Sequence, residues 1–74
     1  MVDEILDTKG LNCPLPILKA KKAIARLDSG KTLQILATDP GSVKDFAAFC
    51  RATGHQLLES SNENGVFQFI IQKA

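Results

Sequence analysis

The sequence predicts an α+β domain of order βαβαββ, a two-layer sandwich with two helices packed on one face of a four-stranded mixed sheet. Three observations predict it. Two segments with helical apolar spacing alternate with segments of strand-like spacing. A glycine or proline stands at each change of pattern: Gly10, Pro14, Gly30, Pro40 and Gly54. Finally, Asn64-Gly65 joins the last two strand-like runs, a strong hairpin signal. Four strands are the smallest sheet that covers two apolar helix stripes, and right-handed crossovers put both helices on the same side.

Taken in order, Ile5 and Leu6 within Glu4–Thr8 form a short strand that Gly10 ends. Residues 14–28 take a helical period, with Ile17, Ala20, Ile24 and Leu27 on one side and Ala23 at its edge. Ser29-Gly30 supplies a stop. Residues 32–38 alternate, with Leu33, Ile35 and Ala37 on one face, and are apolar enough for an inner strand. Asp39-Pro40-Gly41-Ser42 opens a second helix with Asp39 or Ser42 as cap, and Val43, Phe46, Ala47 and Cys50 form its buried stripe. Gly54 closes that helix. Strands follow over residues 56–60 and Val66–Gln72, the latter with Phe67, Phe69 and Ile71 on one face.

At 74 residues the chain is a single domain spanning 1–74. A domain of this size buries only about 60% of the surface its unfolded form exposes, so a deep substrate cavity has no room. A net charge of +1 with 45% hydrophobic residues points neither to direct nucleic-acid binding nor to a membrane. The start, Met1-Val2-Asp3-Glu4, carries two acidic residues and resembles no signal or transit peptide. The expectation is a cytoplasmic monomer with both cysteines free. One histidine and two separated cysteines give no metal-ligand spacing, and no cofactor is implied.

Chemistry concentrates at Cys13-Pro14-Leu15-Pro16, where a thiol meets the start of a helix. With Pro14 as the first helical residue, Cys13 is the N-cap, and its sulfur lies beside the positive end of the helix dipole. That placement is expected to draw the thiol down towards neutrality, which suits sulfur exchange. Pro14 and Pro16 have no N–H, leaving Leu15 as the only donor in the first three positions. The prolines therefore serve rigidity, holding the sulfur outward for a second protein. The plainer alternative is an inert cap ahead of a proline-started helix.

The run Gly10-Leu11-Asn12-Cys13-Pro14-Leu15-Pro16 resembles the signature of the TusA/SirA-like family of small sulfur-carrier proteins. The likeness continues through Thr38-Asp39-Pro40, Phe49-Cys50 and Gly54-His55-Gln56-Leu57. It implies that Cys13 is the catalytic residue, carrying sulfur as a persulfide from a cysteine desulfurase or rhodanese-like donor to an acceptor protein. Such relays feed tRNA thiolation, molybdenum cofactor formation or sulfur oxidation. Members tied to tRNA thiolation often carry Arg before the cysteine and Glu after the first proline, where this chain has Asn12 and Leu15. The rim is thus more neutral and apolar, and a sulfur-oxidation relay fits at least as well.

Lys19, Lys22 and Arg26 form a basic stripe opposite the apolar face of the first helix, either a solvated face or a docking surface for an acidic partner. A rival function follows from it: a regulatory or adaptor module that binds through this face, with the cysteine incidental. Cys50 falls within an apolar stripe and reads as a small core residue, although pairing with Cys13 would make a redox sensor. His55, at the edge of the third strand, has no sequence reason to approach Cys13.

Overall fold

The run Thr-Leu-Gln-Ile-Leu-Ala at Thr32–Ala37 (β2) alternates so cleanly that Leu33, Ile35 and Ala37 are wholly buried while the residues between them are half-buried. A computed structural model describes residues 2–74 and places β2 inside the sheet. Glu4–Thr8 (β1) runs parallel to it, with Leu6 opposite Ile35 and Thr8 opposite Ala37. Val66–Gln72 (β4) lies antiparallel on its other side, pairing Phe69 with Ile35 and Ile71 with Leu33. Gln56–Glu63 (β3) forms the far edge, so the order is β1-β2-β4-β3.

Two helices, Leu15–Ala25 (α1) and Ser42–Thr53 (α2), cover one face of this sheet. Their contribution to the core is Ala20, Ala23 and Ile24 from α1 and Phe46, Phe49 and Cys50 from α2. The rings of Phe46 and Phe69 meet at 4.8 Å between centroids, which pins α2 to the strand beneath it. The opposite sheet face is open, with Ile5 and Leu58 exposed.

Several boundaries differ from the sequence reading. The helix α1 starts at Leu15, not Pro14: Pro14 has non-helical angles and is the N-cap, its carbonyl accepting from the Leu18 N–H at 3.1 Å. Cys13 therefore stands one residue outside the cap. The same helix ends at Ala25, because the Arg26 and Leu27 amides turn back to the carbonyls of Ala23 and Ile24 and tighten the last turn. Gly30 lies further on, at φ 88, where its N–H donates to the Lys73 carbonyl.

In α2 the N-cap is Gly41, and the buried stripe is Ser42, Phe46, Phe49 and Cys50; Val43 is exposed. Phe49, large and apolar, takes the inward place that Val43 was expected to fill. The Ser42 hydroxyl stays satisfied under cover by donating to the Asp39 carbonyl at 2.6 Å. Gly54 closes α2 at φ 83, as its position predicts. Strand β3 extends past residue 60 because its ladder with β4 continues to Glu63 opposite Val66. Its outer residues are polar and exposed, so no apolar alternation marks them in the sequence. Asn64 at φ 53 and Gly65 at φ 83 make the two-residue turn, both in the left-handed region that such hairpins require.

Candidate functional site

Parallel pairing of β1 and β2 brings the two loops that follow them side by side. Beyond Thr8 and Ala37 the chain leaves the sheet as Lys9–Pro14 and Thr38–Gly41, and the second loop holds the first. The Thr38 Oγ1 accepts the Gly10 N–H at 2.9 Å, and the Asp39 Oδ2 accepts the Cys13 N–H at 2.9 Å. The other carboxylate oxygen of Asp39 accepts the Gly41 N–H at 3.3 Å. Asp39 is thus a brace between loops and not the α2 cap. Within the first loop, the Leu11 N–H donates to the Thr8 carbonyl at 3.1 Å and the Leu15 N–H to the Asn12 carbonyl at 2.8 Å. Gly10 adopts φ 85, a backbone setting that L side chains rarely take, although a Cβ there would meet no neighbour within 4 Å.

Held in this way, Cys13 is exposed and its thiol free. It stands at one end of an open cleft of about 390 Å³ between the helices. Pro14, Ile17 and Lys21 line the α1 side; Asp45 and Phe49 line the α2 side. The cleft is shallow, as a chain of this size dictates.

The electrostatics at the sulfur reverse the sequence expectation. The thiol is held above its ordinary value, chiefly because the Asp45 carboxylate accepts from the S–H form. Desolvation acts in the same direction, as do the negative charges of Asp45 and Asp39. The helix dipole has little to set against them: Cys13 lies outside the cap, Pro14 and Pro16 bring no N–H, and the Leu15 N–H is already given to Asn12.

The remaining residues singled out from sequence fall in different places. Pro16 is buried under the first turn of α1, so it packs as well as stiffens. Leu15 is exposed, as are the apolar side chains of Leu18 and Val43. Lys19 and Lys22 are exposed, whereas Arg26 is engaged, its guanidinium 3.1 Å from Glu4 Oε2. None of these three lines the cleft. Cys50 is buried and free, its thiol pushed up by desolvation. The His55 Nδ1 accepts the Ala74 N–H at 2.9 Å and its ring lies 5.5 Å from that of Phe49.

Sequence reasoning missed Asp45 and Lys21 at the cleft and misassigned Asp39. A signal for Asp45 existed: it precedes Phe49 by one helical turn and so shares that aromatic's side of α2.

A free, exposed cysteine thus stands at a β–α junction, at the edge of an open cleft between the two helices. Residues 4–73 match the family described as Sulfurtransferase TusA. A sulfur carrier protein TusA of Allochromatium vinosum is 57% identical over 72 residues, covering 97% of this chain and 95% of that protein. A putative sulfur carrier protein of Neisseria meningitidis serogroup A is 56% identical over 72 residues, covering 97% of each. The crystal structure of a SirA-like protein from Desulfitobacterium hafniense superposes with a TM-score of 0.83 at 30% identity, covering 93% of this chain and 95% of that one. The chain belongs to the TusA family of sulfur carriers. Among the described residues, no helix is long and apolar enough to cross a membrane.

Proposed function

We propose that the protein carries sulfane sulfur as a persulfide on Cys13, taking it from a donor protein and passing it to an acceptor protein in the cytoplasm. The observation that carries this reading is the exposed, free Cys13 thiol on a loop braced by Thr38 and Asp39. Loading is an exchange. The Cys13 thiolate attacks the terminal sulfur of a donor persulfide, a new bond forms to the Cys13 Sγ, the donor's S–S bond breaks, and the donor leaves as a thiolate that takes up a proton. Delivery repeats the step with an acceptor thiolate as the nucleophile and Cys13 as the leaving group. Neither transfer needs an oxidant or a resident cofactor.

Gly10, Pro14, Leu15 and Pro16 serve this role by shape: a positive-φ turn, the helix cap, an exposed apolar residue and a packed proline. Lys19 and Lys22 offer long-range attraction for an acidic partner, at a distance from the sulfur itself. The domain acts as a monomer, and the exposed apolar side chains of Leu15, Leu18 and Val43 suit transient docking.

Incubation with a cysteine desulfurase and cysteine, followed by intact mass measurement without reductant, is expected to add one sulfur atom. That gain disappears in Cys13→Ser and persists in Cys50→Ser. A Cys13→Ser protein that still takes up the sulfur overturns the assignment.

A further inference from the structure

The cleft beside Cys13 is charged at its two ends and apolar between them. Asp45 stands at the sulfur end, near the N-terminus of α2, and Asp39 adds a second negative charge there from the loop before that helix. Pro14, Ile17 and Phe49 supply the hydrocarbon wall. Lys21 lies one turn beyond Ile17 on α1 and so belongs to the opposite end. Lys21 from α1 and Asp45 from α2 are the charged groups that line the cleft, and Asp39, on the loop preceding α2, acts on the sulfur from beside it.

This arrangement poses a problem for a nucleophile. Exchange requires thiolate, and two neighbouring carboxylates favour the S–H form. A cation brought against Asp45 offsets the negative field at the sulfur, and the same contact is recognition. We propose that the cleft seats the cysteine-bearing segment of a partner protein, with a cationic side chain against Asp45 and an apolar side chain against Ile17 and Phe49, so that docking itself readies Cys13. The inference rests on the persulfide-carrier reading in taking that partner to be the sulfur donor.

Three symmetric peptide disulfides serve as probes, each made from a terminally blocked tripeptide: Lys-Cys-Leu, Glu-Cys-Leu and Lys-Cys-Ser. In each reaction the Cys13 thiolate attacks one disulfide sulfur, a mixed disulfide forms, and the other tripeptide leaves as a thiol after taking a proton. Rates at neutral pH, read by intact mass, are divided by the rate of the same disulfide with mercaptoethanol to remove intrinsic reactivity.

The Lys-Cys-Leu probe is expected to react about tenfold faster than Glu-Cys-Leu, the scale of one partly screened charge pair. It should exceed Lys-Cys-Ser by a few-fold through contact of its leucine with the apolar wall. In Asp45→Asn the first ratio falls to within about twofold of unity while the second persists, and in Asp45→Lys the first reverses. Equal rates for Lys-Cys-Leu and Glu-Cys-Leu, or a charge preference that survives Asp45→Asn, overturn the cationic contact; equal rates for Lys-Cys-Leu and Lys-Cys-Ser overturn the apolar one. None of these outcomes depends on sulfur uptake from a desulfurase, so failure of the carrier reading and failure of this one are seen separately.

Discussion

Asp39→Ala removes the brace beneath the reactive loop, and its effect can be worked from the geometry. The carboxylate accepts the Cys13 N–H at 2.9 Å and the Gly41 N–H at 3.3 Å. Hydrogen bonds to charged groups contribute about 1.5–3 kcal/mol when buried, and less where water can replace the lost partner. Both amides border solvent, and the longer Gly41 bond is the weaker of the two, so the variant should lose about 1–2 kcal/mol. For a domain of this length that lowers the thermal midpoint by roughly 5–15 °C. The functional loss follows from the same bond, since an untethered loop holds the sulfur in its working position for a smaller fraction of the time. A cost of about 1.4 kcal/mol there is a tenfold slower loading of Cys13. Asp39→Asn keeps an acceptor and separates the brace from the charge. It should stay within a few degrees of the parent and load at a similar rate, while its thiol ionises more readily because one negative neighbour is gone. The assay pairs thermal unfolding with timed sulfur uptake from a desulfurase. If Asp39→Ala melts within about 2 °C of the parent and loads equally fast, the brace has no role in presenting Cys13.

Other perturbations test separate parts of the structure. Alkylation of Cys13 by iodoacetamide should be slow at neutral pH, climb with pH and level off above the elevated thiol value; Asp45→Asn should move that profile to lower pH, and a profile that stays put removes Asp45 as the cause. The raised values of both thiols mean the folded state loses stability as pH rises from the unfolded cysteine range through the folded ones, and Cys13→Ser should remove its own share of that loss in melts recorded across alkaline pH while the share of Cys50 remains. A thiol-reactive chromophore should count one cysteine in the native protein and two in denaturant, because Cys50 is buried and free; two fast equivalents in the native state would place Cys50 at the surface. Phe69→Ala opens the centre of the core against Phe46 and should cost about 3–5 kcal/mol by denaturant titration, a large share of the roughly 4–11 kcal/mol available to a chain of this length. A loss under 1 kcal/mol would contradict the packing.

What could be read from the chain followed from how locally each feature is written. The inner strand, the Asn64-Gly65 turn and the Gly54 stop are legible because pattern or backbone angle falls on the residues themselves. The end of β3 is not, since its polar residues join the sheet by main-chain bonding to β4, a partner beyond the turn. The α2 stripe was rotated for a related reason: Val43 and Phe49 both fit an apolar face, and only the strand beneath α2 decides between them. At the site, Cys13 and its prolines were visible because they are contiguous. Asp39 is 26 positions from Cys13 in sequence and Asp45 lies on another helix, and they reach the sulfur only because β1 and β2 are parallel neighbours. Sequence spacing says nothing of that until the sheet order is known.

The sign of the thiol's behaviour turns on the same point, and magnitudes decide it. A helix N-terminus acts as roughly half a positive charge, carried mostly by its unsatisfied N–H groups. Here Pro14 and Pro16 remove two of those groups and Asn12 takes a third, while the cysteine sits a residue outside the cap. Against what is left stand the Asp45 carboxylate, which accepts from the S–H form, then desolvation, then the negative charges of Asp45 and Asp39. The balance falls to the carboxylate side, and the thiol is held above its ordinary value. Oxidation to the sulfenic and higher acids proceeds through thiolate, so a raised thiol value slows that oxidation at an exposed cysteine. On the docking proposal the work of activation falls to the partner, because among the described residues Lys21 is the one cation that lines the cleft. Under that proposal a carrier gains specificity from the charge its partner brings, and the Glu-Cys-Leu probe, which lacks that charge, should find Cys13 slow to react.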